Sequence, residues 1–221
     1  MARVAIVDYK AGNLFSVEQA CKAVGLDPVV TCRQETILAA DALILPGVGA
    51  FGDAIRNLYE LDLVSPLRDF SASGKPFMGI CLGMQLLFSA SEEFGDSKGL
   101  DLIEGRVIRF PDADRDGEKT KIPQIGWNRV VRPARPGNAW GSTPLENVRD
   151  GEFMYFVHSF YAVASKPEHV LATTEYAGVE YCSAAIKENV FATQFHPEKS
   201  ADAGLSIYRS WADGIPNGRK G

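Results

Sequence analysis

Residues 3–32 read RVAIVDYKAGNLFSVEQACKAVGLDPVVTC, and this stretch decides the fold class. Arg3–Tyr9 is an apolar, β-branched run, the composition of a buried strand. From Asn13 to Gly25, Leu14, Val17, Ala20, Cys21 and Val24 recur at helical spacing, and Gly25 stops the pattern. Asp27–Cys32 predicts a second strand. Strand, helix and strand joined by short connections make parallel neighbours, so the chain reads as α/β.

Outward from that unit, Ala42–Leu45 predicts a third strand and Phe51–Ser73 a helix interrupted at Pro66. Pro76–Ile80 predicts another buried strand, running directly into a helix from Leu82 to about Phe94. Beyond residue 100 the pattern turns to strands divided by turn residues: Ile103–Phe110, Trp127–Arg132, Phe153–Ala164, Val170–Tyr176, Ser183–Lys187 and Val190–Gln194. Asp112–Lys119 is charged and irregular, an exposed loop, and Leu205–Asp213 reads as a closing helix. No repeat, low-complexity tract or linker divides the chain. Residues 1–221 are therefore expected to form a single α/β domain with a central mixed, largely parallel sheet flanked by helices.

Of the 221 residues, 46% are hydrophobic and 23% charged, a balance that buries a core without disulfides or a structural metal. The net charge of −5 leaves no basic footprint for nucleic acid. The apolar run in MARVAIVDY is too short for a signal segment, and no later run reaches about 18 apolar residues. A cytoplasmic protein without membrane contact is expected. Cys21, Cys32, Cys81 and Cys182 form no C-x-x-C pair and no zinc spacing, so they are read as free thiols. Three serve as small hydrophobes; Cys81 differs.

Gly79-Ile80-Cys81-Leu82-Gly83 places a cysteine at a strand-to-helix junction, a G-x-nucleophile-x-G pattern. The sharp turn strains the nucleophile, and the flanking glycines let neighbouring backbone approach. The start of the next helix carries unpaired N–H groups and partial positive charge, which favour a thiolate. A cysteine nucleophile needs a base, and the choices are His158, His169 and His196. His169 follows a surface-like Lys166-Pro167-Glu168 turn, and His158 lies in an apolar run that suits a core or wall histidine. His196 ends a strand, and Pro197 stiffens the turn that sets Glu198 two residues on. Glu198 is then placed to orient the imidazole as the third member of a triad. Pro46-Gly47-Val48-Gly49 has neither G-K-[ST] nor G-x-G-x-x-G, so it is not read as a phosphate loop and no cofactor is called for. Its alternatives are a plain tight turn, or a source of backbone N–H groups that hold an oxyanion together with Leu82.

The turn PGVG, the elbow GICLGMQ and the end QFHPE, in that order, resemble class I (triad) glutamine amidotransferases. Asp8-Tyr9 with Gly12-Asn13-Leu14, PGVGAFGD at 46–53, CLGMQLLF at 81–88, KIPQIGWN at 121–128, YFVHSFY at 155–161 and TQFHPEKS at 193–200 are similar to the glutaminase subunits of imidazole glycerol phosphate synthases. The resemblance runs essentially end to end. It implies that Cys81 attacks the side-chain amide of glutamine, with His196 and Glu198 completing the triad. It further implies glutamine contacts from Gln85, Glu93 and the backbone of Ser159 and Phe160. The implied partner is a β/α-barrel cyclase subunit in a heterodimer, receiving ammonia through a channel, with Asn13, Trp127 and Lys199 near the interface. Gln124 stands where many relatives carry histidine, Phe160 where tyrosine is common, and Lys10 and Ala11 also depart from the pattern.

Other readings are a different cysteine hydrolase, the same class serving another synthase such as one for anthranilate or pyridoxal phosphate, and a catalytically dead subunit. His196-Pro197-Glu198 and Gln85 speak against the first, Lys121–Asn128 against the second, and the intact triad against the third.

Overall fold

A computed structural model of the protein describes residues 1–113, 117–134 and 140–216. The opening stretch folds as its periodicities require, into β1 (Arg3–Val7), α1 (Leu14–Ala23) and β2 (Asp27–Thr31). Asn13 caps α1, its side-chain oxygen accepting from Ser16 N and satisfying one donor that the helix start leaves open. A helix the sequence pattern does not announce, α2 (Gln34–Ala39), precedes β3 (Ala42–Gly47). It buries one side chain, Ile37, too few for a periodicity to register.

The helix expected over Phe51–Ser73 is two helices, α3 (Phe51–Glu60) and α4 (Val64–Ala72). The break falls between them, where Asp62 takes a φ of +53°, and not at Pro66. Pro66 lies in the first turn of α4, where its missing N–H would have had no partner within the helix. β4 (Phe77–Cys81) passes without a linker into α5 (Leu82–Leu87). That helix ends well before Phe94. The chain turns extended as β5 (Phe88–Ser91), followed by β6 (Ser97–Lys98) and β7 (Ile103–Arg109). Parallel pairing of β5 with β7 satisfies backbone groups that a longer helix would have kept, and strand pairing overrides the local helical pattern.

The remaining elements are β8 (Gln124–Val130), β9 (Glu152–His158), β10 (Phe160–Ala164), β11 (Val170–Tyr176), β12 (Val179–Lys187), β13 (Val190–Thr193) and α6 (Ala201–Asp213). The single strand expected over Phe153–Ala164 is divided at Ser159. β9 pairs with β8 in a separate two-stranded sheet, whereas β10 joins the main sheet beside β7. The loop expected at Asp112–Lys119 falls partly outside the described residues; an isolated bridge joins Ala113 and Lys119.

The main sheet runs β2-β1-β3-β4-β13-β12-β10-β7-β5-β6, with β11 beside β12. Its first five strands pair in parallel, and from β12 onward the neighbours are antiparallel except for the parallel pair β7 and β5. Successive residues of a strand face opposite sides. Val4, Ile6, Ile44 and Met78 accordingly pack with Val17, Ile207 and Tyr208 of α1 and α6. Ala5, Val7, Leu43 and Phe77 pack on the other face with Leu58, Leu67 and Leu86 of α3, α4 and α5. Among the described residues no helix is long and apolar enough to cross a membrane.

The junction of β4 and α5 is packed to contact against β3. A Cβ on Gly83 would stand 1.8 Å from Leu45 O, and one on Gly47 2.2 Å from the Tyr9 hydroxyl, which donates to Pro46 O. Leu45 O belongs to a paired strand and cannot yield. Gly83→Ala is therefore expected to destabilise the protein by at least about 1–3 kcal/mol, read as a lowered urea midpoint at unchanged m-value.

Candidate active site

β4 ends at Cys81 with φ +55° and ψ −110°, a conformation that costs a non-glycine residue about 1–3 kcal/mol. Pairing on both sides imposes it, with Gly47 of β3 opposite Cys81 and Thr193 of β13 opposite Ile80. The thiol is buried, with Val157 O at 3.9 Å and Gln194 Nε2 donating to the sulfur at 3.7 Å.

Because β13 runs parallel to β4, its C-terminal end reaches the same edge of the sheet. Three residues on, His196 N donates to Tyr155 O at 2.9 Å and ties this turn to β9. Pro197 opens a 3-10 turn, Pro197–Lys199, that carries Glu198 back under the imidazole. His196 Nδ1 and Glu198 Oε1 meet at 2.7 Å, with side chains only 2% and 1% exposed. Ser200 Oγ locks the turn, donating to His196 O at 2.7 Å and accepting from Tyr155 N at 3.0 Å. Since Nδ1 is committed to Glu198, Nε2 is the nitrogen left for Cys81, whose sulfur interacts with the imidazole. Burial alone would hold this imidazole down. The Cys81 sulfur and the Glu198 carboxylate outweigh burial and raise the His196 pKa from 6.5 to about 10.

A cavity of about 270 Å³ opens over Cys81, slightly below the ~300–1,000 Å³ of pockets for drug-sized ligands and suited to something smaller. Val48, Gly49 and Leu82 line it, as do Gln85, Glu93, Ser159 and Phe160. Gln85 Nε2 donates to Phe160 O at 2.8 Å and to Gln194 Oε1 at 3.0 Å. The Glu93 carboxylate accepts from Phe51 N at 2.7 Å; burial raises its pKa, and that bond works the other way. Gly47 does not line the cavity but packs beneath it against Tyr9. Trp127 is 53% exposed on β8 and meets Tyr155 edge-on, while Lys199 Nζ lies 5.9 Å from the same ring. Asn13 caps α1, which packs against the Pro197–Lys199 turn.

His158 is a wall histidine of the cavity, and His169 does not reach it. Gln194 is the residue the sequence reading missed. It touches the sulfur and holds Gln85, and its signal was a polar side chain at the end of a buried strand, two residues before His196. Among the described residues no three His, Cys, Asp or Glu side chains are placed to hold a metal. The arrangement suits covalent chemistry at a carbonyl carbon: a sulfur nucleophile, an imidazole within reach of it, and a carboxylate behind the imidazole.

A family model for class I glutamine amidotransferases matches residues 5–209, and the chain belongs to that family. Its relatives include the imidazole glycerol phosphate synthase subunit HisH of Geobacter metallireducens, 46% identical over 96% of this chain and 98% of the relative. A HisH 1 subunit from Legionella pneumophila is 47% identical over 96% and 99% of the two chains. The structure of PurLQS from Thermotoga maritima superposes with a TM-score of 0.71 at 19% identity, covering 98% of this chain and 100% of that one, a likeness of fold.

Cys81→Ser removes the sulfur that helps raise the His196 pKa, which is expected to fall from about 10 when followed by NMR titration of the imidazole. The sign for stability follows. A folded value above the unfolded 6.5 stabilises fully below about pH 6.5, and this contribution is lost as pH rises through about 10. An unchanged midpoint in the serine variant would remove Cys81 as the partner of His196.

Proposed function

We propose that this chain is the glutamine-hydrolysing subunit of an imidazole glycerol phosphate synthase in histidine biosynthesis, and that Cys81, His196 and Glu198 are its triad. The observation that carries the reading is the buried 2.7 Å contact between His196 Nδ1 and Glu198 Oε1, which leaves Nε2 for Cys81. Relatives named as imidazole glycerol phosphate synthase subunits, similar over nearly the whole chain, support the choice of synthase, and the class I glutamine amidotransferase match supports glutamine as substrate.

In this mechanism His196 takes the proton of the Cys81 thiol as the sulfur attacks the side-chain amide carbon of glutamine. His196 gives a proton to the departing nitrogen, which leaves as ammonia while a glutamyl thioester remains. Water then attacks the thioester, His196 takes its proton and passes it to the leaving sulfur, and glutamate departs as the thiol is restored. Glu198 holds the imidazole in the tautomer both steps need. Gln85, Glu93 and the Ser159–Phe160 backbone hold the glutamine. The Leu82 N–H and the Val48-Gly49 backbone receive the oxyanion, while Gly47, expected to join them, packs outside the cavity. Gly49 has a φ of +106° with nothing within 4 Å of its Cβ position, and the conformational freedom of glycine lowers the cost of turning the 48–49 peptide. Removing one such donor costs about 2.7–4 kcal/mol, so a turn that completes the hole only when the partner binds prevents idle hydrolysis.

The partner is a β/α-barrel cyclase subunit in a heterodimer that takes up the ammonia through a channel. Asn13, Trp127 and Lys199 mark the docking face. Ile125 and Phe153, 60% and 43% exposed, add apolar area on the sheet of β8 and β9.

The test is ammonia release from glutamine by the purified chain, alone and with the barrel synthase subunit. Activity that rises steeply with the partner, vanishes in Cys81→Ser and falls about 10⁴-fold in kcat in Glu198→Gln is expected. No ammonia in either condition sinks the reading.

A further inference from the structure

Behind the cavity, an unbroken run of hydrogen bonds leads from the start of β8 to the sulfur of Cys81. Tyr181 Oη lies 3.0 Å from Gln124 Oε1 and 3.3 Å from His158 Nε2. His158 Nδ1 lies 2.8 Å from Phe160 O, the carbonyl that also accepts from Gln85 Nε2. Gln85 holds Gln194, and Gln194 touches Cys81 Sγ. Gln124, His158 and Tyr181 are all buried.

Hydrogen-bond chemistry fixes the direction of this run. A carbonyl oxygen only accepts, so at 2.8 Å the nitrogen facing Phe160 O must carry a proton. The ring is packed among Phe110, Phe156 and Tyr181 with centroids at 5.3, 5.7 and 5.4 Å. Burial, helped by the charge of His196 and opposed by the Phe160 bond, lowers the His158 pKa to about 4. The ring is thus neutral at pH 7, with Nε2 bare and in need of a donor. Tyr181 is the donor within reach, and its one proton cannot also go to Gln124. Gln124 Nε2, meanwhile, is buried without a partner. Exchanging the amide nitrogen and oxygen of Gln124, which have the same shape, frees the Tyr181 proton for His158 and leaves a carbonyl oxygen where the unpaired amino group stood. The amide then donates to the Tyr181 oxygen, and Tyr181 donates to His158. The Thr174 hydroxyl beside Tyr181 donates to Arg129 O at 2.9 Å, and its oxygen is a weaker acceptor than an imidazole nitrogen.

We propose that Gln124, Tyr181 and His158 form a one-way hydrogen-bonded relay that positions the Ser159–Phe160 wall of the glutamine site. The relay ends at the corner where the chain leaves the β8–β9 sheet for the main sheet, so it fixes the peptide that the substrate meets. These are positioning residues, acting through Phe160 and Gln85. The consequence for substrate rests on the glutamine-hydrolysing reading; the direction of the bonds does not.

Two measurements decide it. In ¹⁵N NMR spectra of the wild-type chain at neutral pH, His158 is expected to show a protonated Nδ1 and a bare Nε2. An Nε2–H tautomer or a charged ring overturns the relay. In Tyr181→Phe, assayed in complex with the synthase subunit, the KM for glutamine is expected to rise several-fold, by a larger factor than kcat falls. A KM that does not move overturns the positioning role. If the wild-type complex releases no ammonia, the functional reading fails, and the tautomer still decides the relay.

Discussion

Strands β4 and β13 lie side by side in parallel, Phe77 opposite Val190 through Ile80 opposite Thr193, and the site exists because of that register. Slipping it by one residue would turn every side chain of β13 to the wrong face and move His196 away from the sulfur. The same pairing, with β3 on the other side, holds Cys81 in a backbone conformation it would not adopt alone. All five residues of β4 are buried, so the strain is stored where packing is densest. Gly47, Gly79 and Gly83 make the approach of β3, β4 and α5 sterically possible.

Two buried histidines show how environment divides labour within one site. His196 faces a sulfur and a carboxylate and is pushed up to about 10, whereas His158 faces a carbonyl and a phenol and is pushed down to about 4. Desolvation acts on both in the same direction. What separates them is whether a negative charge shares the burial. The first is fitted to carry a proton, the second to stay neutral and hold a shape.

The class of fold was legible in Arg3–Cys32, because strand and helix periodicities there are strong and the connections short. The Cys81 elbow and the His196–Glu198 turn were legible too, since glycine and proline at fixed offsets carry backbone meaning of their own. What escaped the sequence was decided by partners distant along the chain. β5 looks helical until β7 pairs with it, and Phe153–Ala164 looks like one strand until its halves are claimed by different sheets. Pro66 suggested a break that belongs to Asp62, because a proline in a first helical turn is harmless. Gln194 and the link from Tyr181 to His158 depend on side chains meeting across the core, which no local pattern records.

The order of the main sheet also bears on how the protein is made. β13 is the last described strand along the chain, yet it sits inside the sheet between β4 and β12. A ribosome delivers the N-terminal strands first, so β4 waits with one edge open until Val190–Thr193 has emerged. Cys81 is made early and His196 late, and neither has its neighbour until that gap is filled. The nascent chain therefore carries Cys81 for more than a hundred residues before His196 is made, and the two meet only after β13 has paired with β4.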